Sequence, residues 1–258
     1  MIDFHNHVLP DLDDGAKSME MTLDMLREAS KQGIKKIVNT VHFQHPKMEG
    51  KNTDYNHIQE IRDRVLKEAE QIGIAIDIEL ASEVYYLPNL CDLVDNPITT
   101  INGYMLIEFP TMIVPSNFLD VFFNLKMKGI NPILAHPERY RFIQDNVGEL
   151  KKLEDLEIIF QIDAGSVIGH FGNKTKKTAF NMLKEGYCHI IGSDAHNNIK
   201  RNFCLKEAYN ILSVLDDSIV DKLMHNSACI LEHKKALKPI KLKKQSFFQR
   251  LKKKTLNT

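Results

Sequence analysis

Residues 32–38 read Gln-Gly-Ile-Lys-Lys-Ile-Val and join the end of a helical pattern to a strand-like apolar run. The same transition recurs three times, as Ile-Gly-Ile-Ala-Ile-Asp-Ile at 72–78, Lys-Gly-Ile-Asn-Pro-Ile-Leu at 128–134 and Glu-Gly-Tyr-Cys-His-Ile-Ile at 185–191. Glycine is favoured just past a helix, because a residue without a Cβ atom adopts the left-handed conformation there without a clash. The repeated order of helix, glycine and strand predicts βα units.

The pattern extends over most of the chain. We predict strands at residues 1–7, 34–41, 74–82, 104–109, 131–136, 158–163 and 188–193. We predict helices near 18–32, 54–72, 115–128, 147–154, 174–185 and 204–214. A length of 258 residues suits two small domains or one larger barrel. About seven βα units without an internal linker favour an α/β fold that is one TIM-like barrel.

Composition excludes several classes of protein. Apolar residues make up 43% of the chain and charged residues 26%, as in a globular protein, which argues against a disordered or collagen-like chain. The N-terminal sequence shows no secretory signal, and no apolar run approaches the ~20 residues that cross a membrane. The four cysteines are scattered without a CxxC pair, so we expect reduced thiols and a cytoplasmic protein.

Charge is distributed unevenly along the chain. The 34 basic residues balance the 34 acidic ones, but residues 234–258 hold ten Lys or Arg and no Asp or Glu. We therefore predict a barrel over 1–233 and a basic tail over 234–258, which is either flexible or a short amphipathic helix. A helix with Phe247, Phe248 and Leu251 on one side would make peripheral contact with an anionic membrane. Residues 1–233 therefore carry a net negative charge, which argues against nucleic acid as a partner.

Histidine and acidic residues stand at the ends of the predicted strands or just past them. They are His5, His7, Asp13, Asp14, His42, Glu83, Glu108, His136, Asp194 and His196. The carboxyl ends of parallel strands meet at one mouth of a barrel, so these side chains should converge there. Imidazole and carboxylate groups together suit Mn²⁺, Fe²⁺ or Zn²⁺, and the absence of cysteine argues against a structural zinc site.

Spacing strengthens this interpretation. His5 and His7 share one face of a strand, as do Asp194 and His196. A single buried histidine is more often a core residue than a ligand, but a whole set of such groups is costly to bury without a cation. One member of the pair Asp13 and Asp14 can instead cap the turn that follows them.

Two arginines lie close to this set in the sequence. Arg139 follows His136 in His-Pro-Glu-Arg, and Arg201 lies shortly after His196. The planar guanidinium group forms parallel hydrogen bonds to a phosphate, so these arginines indicate a phosphate site. A surface salt bridge is the alternative for each arginine taken alone.

Three motifs carry a resemblance to a known family: the opening Ile-Asp-Phe-His-Asn-His at 2–7 with its acidic continuation, Ala-His-Pro-Glu-Arg-Tyr at 135–140 and Gly-Ser-Asp-Ala-His-Asn at 192–197. The sequence resembles the PHP (polymerase and histidinol phosphatase) superfamily of phosphoesterases over residues 1 to about 230. Within it, the sequence is similar to the manganese-dependent protein-tyrosine phosphatases of bacterial capsule and exopolysaccharide systems. That resemblance implies a distorted (β/α)₇ barrel with up to three Mn²⁺ ions at the carboxyl ends of its strands.

The resemblance also implies a role for each residue. His5, His7, Glu83 and Asp194 would hold one ion; Glu83 with Glu108 and His136 a second; Asp14 (or Asp13), His42 and His196 a third. Arg139 and Arg201 match phosphate-binding arginines, and with His42 they form the expected catalytic group. Two features depart from the family. Phe43 stands where a second histidine is common, with His45 beyond it, and the paired glutamates that support a ring-shaped oligomer are missing from the first helix, which leaves the oligomeric state open.

The resemblance implies hydrolysis of phosphotyrosine on a protein, such as a membrane-associated tyrosine kinase, by a metal-activated hydroxide. Two alternatives stay open: a histidinol-phosphate phosphatase, and a non-catalytic module that binds phosphotyrosine. A cysteine-based phosphatase needs an arginine six residues after its nucleophile. The residues six positions after the four cysteines are Pro97, Asp194, Asn210 and Lys235. None is an arginine, which excludes that mechanism. Phe43, Tyr85 and Tyr86 could line a pocket for a phenyl ring or pack in the core.

Overall fold

The structure, a computed structural model, describes residues 1–48, 54–154, 156–234 and 237–242. Within them, seven parallel strands form one sheet in sequential order. The strands are β1 (Ile2–Asn6), β2 (Lys36–Phe43), β3 (Asp77–Tyr85), β4 (Tyr104–Glu108), β5 (Asn131–Ala135), β6 (Ile159–Asp163) and β7 (Ile190–Gly192). The α-helices are α1 (Met19–Gln32), α2 (Tyr55–Gln71), α3 (Phe118–Met127), α4 (Arg141–Asp145), α5 (Lys151–Glu154), α6 (Ala164–Ile168), α7 (Gly172–Glu185), α8 (Leu205–Leu215) and α9 (Ile219–Leu231).

The first strand meets the end of the last one and closes the barrel. Asn6 forms a parallel bridge with Ala195. The backbone N–H of His7 donates to the carbonyl of Ala195 at 2.8 Å, and that of Asp194 donates to the carbonyl of His5 at 2.7 Å. The predicted single (β/α)₇ barrel is therefore confirmed. The same hydrogen bonds bring the two predicted ligand pairs side by side.

Helix ends follow the local sequence. Ser18 caps α1 by accepting from the N–H of Met21. Gly33 ends α1 at φ 83° and Gly186 ends α7 at φ 94°, the left-handed conformation that the glycine junctions predicted. On α2, Ile58, Val65 and Ala69 are buried, as expected for one face of an amphipathic helix.

The interior of the barrel changes character from one end to the other. Side chains on one face of a strand recur every second residue. Val38, Ala81 and Leu106 pack in a buried apolar cluster on the same faces that later carry His42, Glu83 and Glu108. Each of these strands thus places an apolar residue in the interior and an ionisable residue nearer the carboxyl-terminal mouth.

Two strands have the predicted length but begin and end two or three residues further along the chain than predicted. β2 ends at Phe43 rather than at residue 41, so His42 lies within the strand and not just past it. β3 runs from Asp77 to Tyr85 and includes Glu83. His42 and Glu83 are both buried and are paired residues of the β2–β3 ladder, so strand pairing fixes the backbone of both.

The chain beyond α9 returns to the barrel. The N–H of Ile240 donates to the carbonyl of Cys188 at 2.6 Å, and the N–H of Leu242 donates to that of Leu183 at 2.9 Å. Ile240 is 2% exposed. Residues 243–258, with the predicted amphipathic face, lie outside the described residues, and the division into 1–233 and 234–258 stays a prediction. Among the described helices, none is long and apolar enough to cross a membrane.

Candidate metal centre

An open cleft of about 520 Å³ lies at the carboxyl-terminal mouth of the barrel. Nearly all the predicted site residues line it: Asp14, His42, Glu83, Glu108, His136, Arg139, Asp194, His196 and Arg201. His5 and His7 lie beneath them and are 0% and 1% exposed. The structure therefore brings the whole predicted set together at the predicted end of the barrel.

The first group joins β1, β3 and the segment after β7. His5, His7, Glu83 and Asp194 have ligand atoms within 4.8 Å of one another. The Nε2 atom of His5 lies 3.3 Å from Glu83 Oε2 and 3.5 Å from Asp194 Oδ1. The Nε2 atom of His7 lies 3.4 Å and 3.5 Å from the same two oxygens. This is the arrangement expected around one shared cation.

A second group shares Glu83 with the first. His136 Nε2 lies 2.8 Å from Glu83 Oε1 and 3.9 Å from Glu108 Oε1. His42, Glu83 and Glu108 also form a compact set of ligand atoms. Since Glu83 directs one carboxylate oxygen to each group, its position suits a bridge between two ions.

The third group shares His7 with the first. Asp14 Oδ1 lies 3.3 Å from His42 Nε2 and 3.2 Å from His196 Nε2. His7 is the fourth member of this group. Asp14 therefore lies in the cluster, whereas the Asp13 carboxylate lies 2.7 Å from the Nδ1 atom of His7 and accepts from the backbone N–H of His42 at 3.0 Å.

The donor atoms fit divalent cations. His5 Nδ1 and His7 Nδ1 each lie against an acceptor oxygen, of Gln161 and Asp13, which places the proton of each neutral ring on Nδ1. The two Nε2 atoms, 3.4 Å apart, then both carry lone pairs, an arrangement that suits a shared cation. The buried oxygens Glu108 Oε2 and Asp194 Oδ1 have no hydrogen-bond donor among the described residues. Burial and the charge of Glu83 raise the pKa of Glu108 to about 8, so this carboxyl needs a nearby cation to ionise at neutral pH.

Two groups outside the cluster fix the orientation of its histidines. Gln161 on β6 accepts a hydrogen bond from His5 Nδ1 at 3.1 Å and another from the backbone N–H of His136 at 3.2 Å. With Asp13 at His7 Nδ1, both His5 and His7 have a partner that leaves Nε2 directed at the cluster. The sequence analysis missed Gln161; the available signal was a lone amide side chain within the otherwise mostly apolar predicted strand 158–163.

Strained backbone marks two of the predicted ligands. His136 has φ 30° and Asp194 has φ 49°. Residues with a Cβ atom disfavour this region, and such strain is concentrated at functional sites. Close backbone packing adds to the constraint, because a Cβ atom on Gly192 would lie 2.5 Å from the Cβ of His5.

The two arginines converge on a single carboxylate oxygen. Arg139 Nη1 donates to Asp194 Oδ2 at 2.5 Å, and Arg201 Nη2 donates to the same oxygen at 2.6 Å. The ring of Phe171 lies 4.7 Å from the guanidinium carbon of Arg139 and 5.7 Å from that of Arg201. Asp194 thus directs one oxygen to the proposed metal-binding cluster and the other to the arginines, and the Phe171 ring lies within cation–π distance of both guanidinium groups.

His45 and the three aromatic residues considered for a phenyl pocket divide between the core and the cleft. Phe43 is 5% exposed and Tyr86 is 4% exposed, so both pack in the core. Tyr85 and His45 line the cleft, with ring centroids 5.0 Å apart. Of the three aromatic residues considered for a phenyl pocket, Tyr85 is the one that lines the cleft.

Known proteins are similar to this chain in sequence and in architecture. Residues 1–232 match the family described as capsular polysaccharide synthesis, CpsB/CapC. Tyrosine-protein phosphatase YwqE of Bacillus subtilis (strain 168) is 33% identical over 215 residues, which cover 82% of this chain and 84% of that protein. Tyrosine-protein phosphatase CpsB of Streptococcus pneumoniae is 33% identical over 221 residues, which cover 83% of this chain and 90% of that protein.

A solved structure agrees with the sequence matches. It is described as belonging to YwqE from Bacillus subtilis and CpsB from Streptococcus pneumoniae, unique metal-dependent tyrosine phosphatases. It superimposes with a TM-score of 0.86 at 31% identity and covers 95% of this chain and 100% of that one. Because the family match covers residues 1–232, which include all seven described strands, the chain belongs to the CpsB/CapC family of capsular polysaccharide synthesis.

Proposed function

We propose that this protein is a metal-dependent phosphatase that hydrolyses phosphotyrosine on proteins. One observation carries the proposal: three overlapping groups of potential metal ligands lie in or directly beneath the cleft that holds two arginines sharing Asp194. Ligands for several cations beside guanidinium groups suit a substrate with a phosphate group. The tyrosine-phosphatase names of the YwqE and CpsB relatives support phosphotyrosine as that substrate.

Each residue group has its own task in this proposal. His5, His7, Glu83 and Asp194 hold one ion, Glu83 with Glu108 and His136 a second, and Asp14, His42 and His196 a third. Bound ions supply positive charge and an activated water for attack on phosphorus. Mn²⁺ is the proposed metal, and Fe²⁺ or Zn²⁺ suits the same imidazole and carboxylate ligands.

Arg139 and Arg201 bind the phosphoryl group. Their guanidinium groups already lie against a carboxylate oxygen of Asp194, so remaining N–H donors can turn to a phosphate in the cleft. Their charge opposes the negative charge that develops on the phosphoryl oxygens in the transition state. His42 lines the cleft and belongs both to the set with Glu83 and Glu108 and to the set with Asp14 and His196. In this proposal it binds an ion at the place where the phosphoryl group enters.

The cysteines do not provide an alternative nucleophile. Cys188 and Cys204 are buried, and burial raises the pKa of each thiol far above neutral pH. None of the four lines the cleft, whose described lining contains no sulfur nucleophile. A thiolate is the reactive form of cysteine, so Cys188 and Cys204 are poorly suited to attack, and Cys91 and Cys229 lie outside the cleft.

The cellular setting belongs to the same proposal. We place the enzyme in the cytoplasm, with a membrane-associated tyrosine kinase of a capsule or exopolysaccharide system as its substrate. The name of the matched family supports this setting. Residues 234–258 would give peripheral contact with anionic lipid through their ten basic side chains. Loss of liposome binding on deletion of 243–258 tests that contact.

Phosphate release from a panel of substrates tests the proposed reaction. Mn²⁺-loaded protein is given a phosphotyrosine peptide, the matched phosphoserine peptide and histidinol phosphate, with His136→Ala as the inactive control. We expect release from phosphotyrosine, because a phenolate with a pKa of ~10 leaves more readily than an alkoxide. Preference for histidinol phosphate would contradict the proposed substrate but not the metal site, and tight binding without release would indicate a binding module.

A further inference from the structure

Three consecutive apolar residues protrude from the rim of the cleft. Met112 and Ile113 are each 68% exposed, and Val114 is 45% exposed. Met112 and Ile113 line the same cleft as the metal-ligating side chains. We call Met112, Ile113 and Val114 the apolar lip. Side chains of this size are usually covered, and a group of them on a surface indicates a binding site.

The loop that carries the lip is held on both sides. The N–H of Arg141 donates to the carbonyl of Thr111 at 2.9 Å. The hydroxyl of Tyr86 donates to the carbonyl of Ser116 at 3.2 Å. These bonds fix the backbone before and after the lip, so its three side chains are presented outward by a preformed loop rather than by a frayed segment.

Charge in the cleft limits what can occupy the lip. Apart from the proposed metal ligands, the charged residues that line the described part of the cleft are Lys47, Arg139 and Arg201, and all three are cationic. An occupant must therefore be anionic where it enters the cleft and apolar where it rests on the rim. A phosphotyrosine side chain in a polypeptide with apolar neighbours has this combination, whereas a small phosphate ester has no flanking residues to cover the exposed apolar side chains of the lip.

We propose that the apolar lip binds the polypeptide on either side of the phosphotyrosine and thereby selects protein substrates with apolar residues next to that tyrosine. This inference rests on the proposed function. The lip adds substrate selection to a site whose ligands and arginines recognise only the phosphate. Burial of two such side chains gives a preference of roughly tenfold, after allowance for their partial contact.

The test compares two phosphotyrosine peptides with a small aryl phosphate as reference. One peptide has leucine on both sides of the phosphotyrosine, and the other has serine there. We expect wild-type protein to favour the leucine peptide by roughly tenfold in kcat/KM. In Met112→Ser/Ile113→Ser, that preference and the ratio of leucine-peptide to aryl-phosphate turnover should both fall by roughly the same factor.

A matched double variant, Met127→Ser/Val214→Ser, removes two apolar side chains that are 72% and 61% exposed elsewhere on the surface. It should keep the wild-type preference. An unchanged preference in the lip variant, or an equal loss with both peptides and the aryl phosphate, would overturn the inference while leaving the proposed function intact. Gel filtration that shows an altered oligomer in the lip variant would assign the lip to a second copy of the chain instead. Wild-type protein that hydrolyses none of the substrates would refute the proposed function itself.

Discussion

Replacement of Phe171 by leucine should weaken phosphate binding without disturbing the metal ligands. The Phe171 ring lies 4.7 Å from the guanidinium carbon of Arg139 and 5.7 Å from that of Arg201, both within reach of a cation–π contact. Leucine keeps most of the apolar contact but removes the negative face of the ring. Both arginines then lose the same positioning contact.

The geometry sets the size of the effect. Each cation–π contact at a partly exposed site contributes about 0.5–1 kcal/mol. Two contacts give about 1–2 kcal/mol, which corresponds to a change of about 5- to 30-fold in the dissociation constant. We expect the inhibition constant of inorganic phosphate and the KM of a phosphotyrosine peptide to rise by this factor, with a smaller change in kcat.

The assay is competitive inhibition by inorganic phosphate at saturating Mn²⁺. Phe171→Tyr keeps the ring and should restore wild-type affinity. Phe180→Leu makes the same change within α7, away from the arginines, and should leave the inhibition constant unaltered. An unchanged constant in Phe171→Leu, or a failure of tyrosine to restore it, would refute the reasoning; thermal melting separates this loss from unfolding.

Three further predictions follow from the site and the fold. Asp14→Asn should lower the Mn²⁺ content measured by mass spectrometry, because the Asp14 carboxylate lies among the proposed ligand atoms. Asp13→Asn should keep the full Mn²⁺ content at saturation and weaken metal affinity about 10- to 100-fold, because the Asp13 carboxylate orients the His7 ring and does not itself bind an ion. Equal loss of metal in both variants would contradict this assignment. Chelation of metal should lower the melting temperature, because Mn²⁺ at 100 times its dissociation constant stabilises the fold by about 2.7 kcal/mol, and identical melting with and without metal would count against an ion at the cluster. Ile240→Ala should reduce the free energy of unfolding in urea by about 2–5 kcal/mol, because the Ile240 side chain packs against the barrel and is 2% exposed. Lys241→Ala, at an exposed position, should change the free energy of unfolding little.

Local sequence was sufficient for much of the fold. The helix–glycine–strand junctions predicted the parallel strands, and Gly33 and Gly186 adopt the left-handed conformation that the junctions require. The carboxyl ends of those strands then placed the ligand set in one mouth, because parallel strands in a barrel all point the same way. The α9 helix was not predicted, since no strand follows it to complete another βα unit.

Contacts between distant segments were beyond the sequence. Phe171 lies far along the chain from both Arg139 and Arg201, and only the closed barrel brings the three together. The choice between Asp13 and Asp14 depended on the turn after β1, which directs one carboxylate to His7 Nδ1 and the other to the cluster. Such details depend on tertiary packing rather than on local pattern.

Metal-free protein titrated with Mn²⁺ while phosphotyrosine turnover is followed tests the central claim most directly. The titration is run on the wild-type chain, on His136→Ala and on a variant in which all four cysteines are replaced by serine. The account predicts no turnover without metal, activity that rises with bound Mn²⁺ in the wild-type and cysteine-free proteins, and none in His136→Ala. Turnover that persists in chelator, or that disappears with the cysteines, would contradict it.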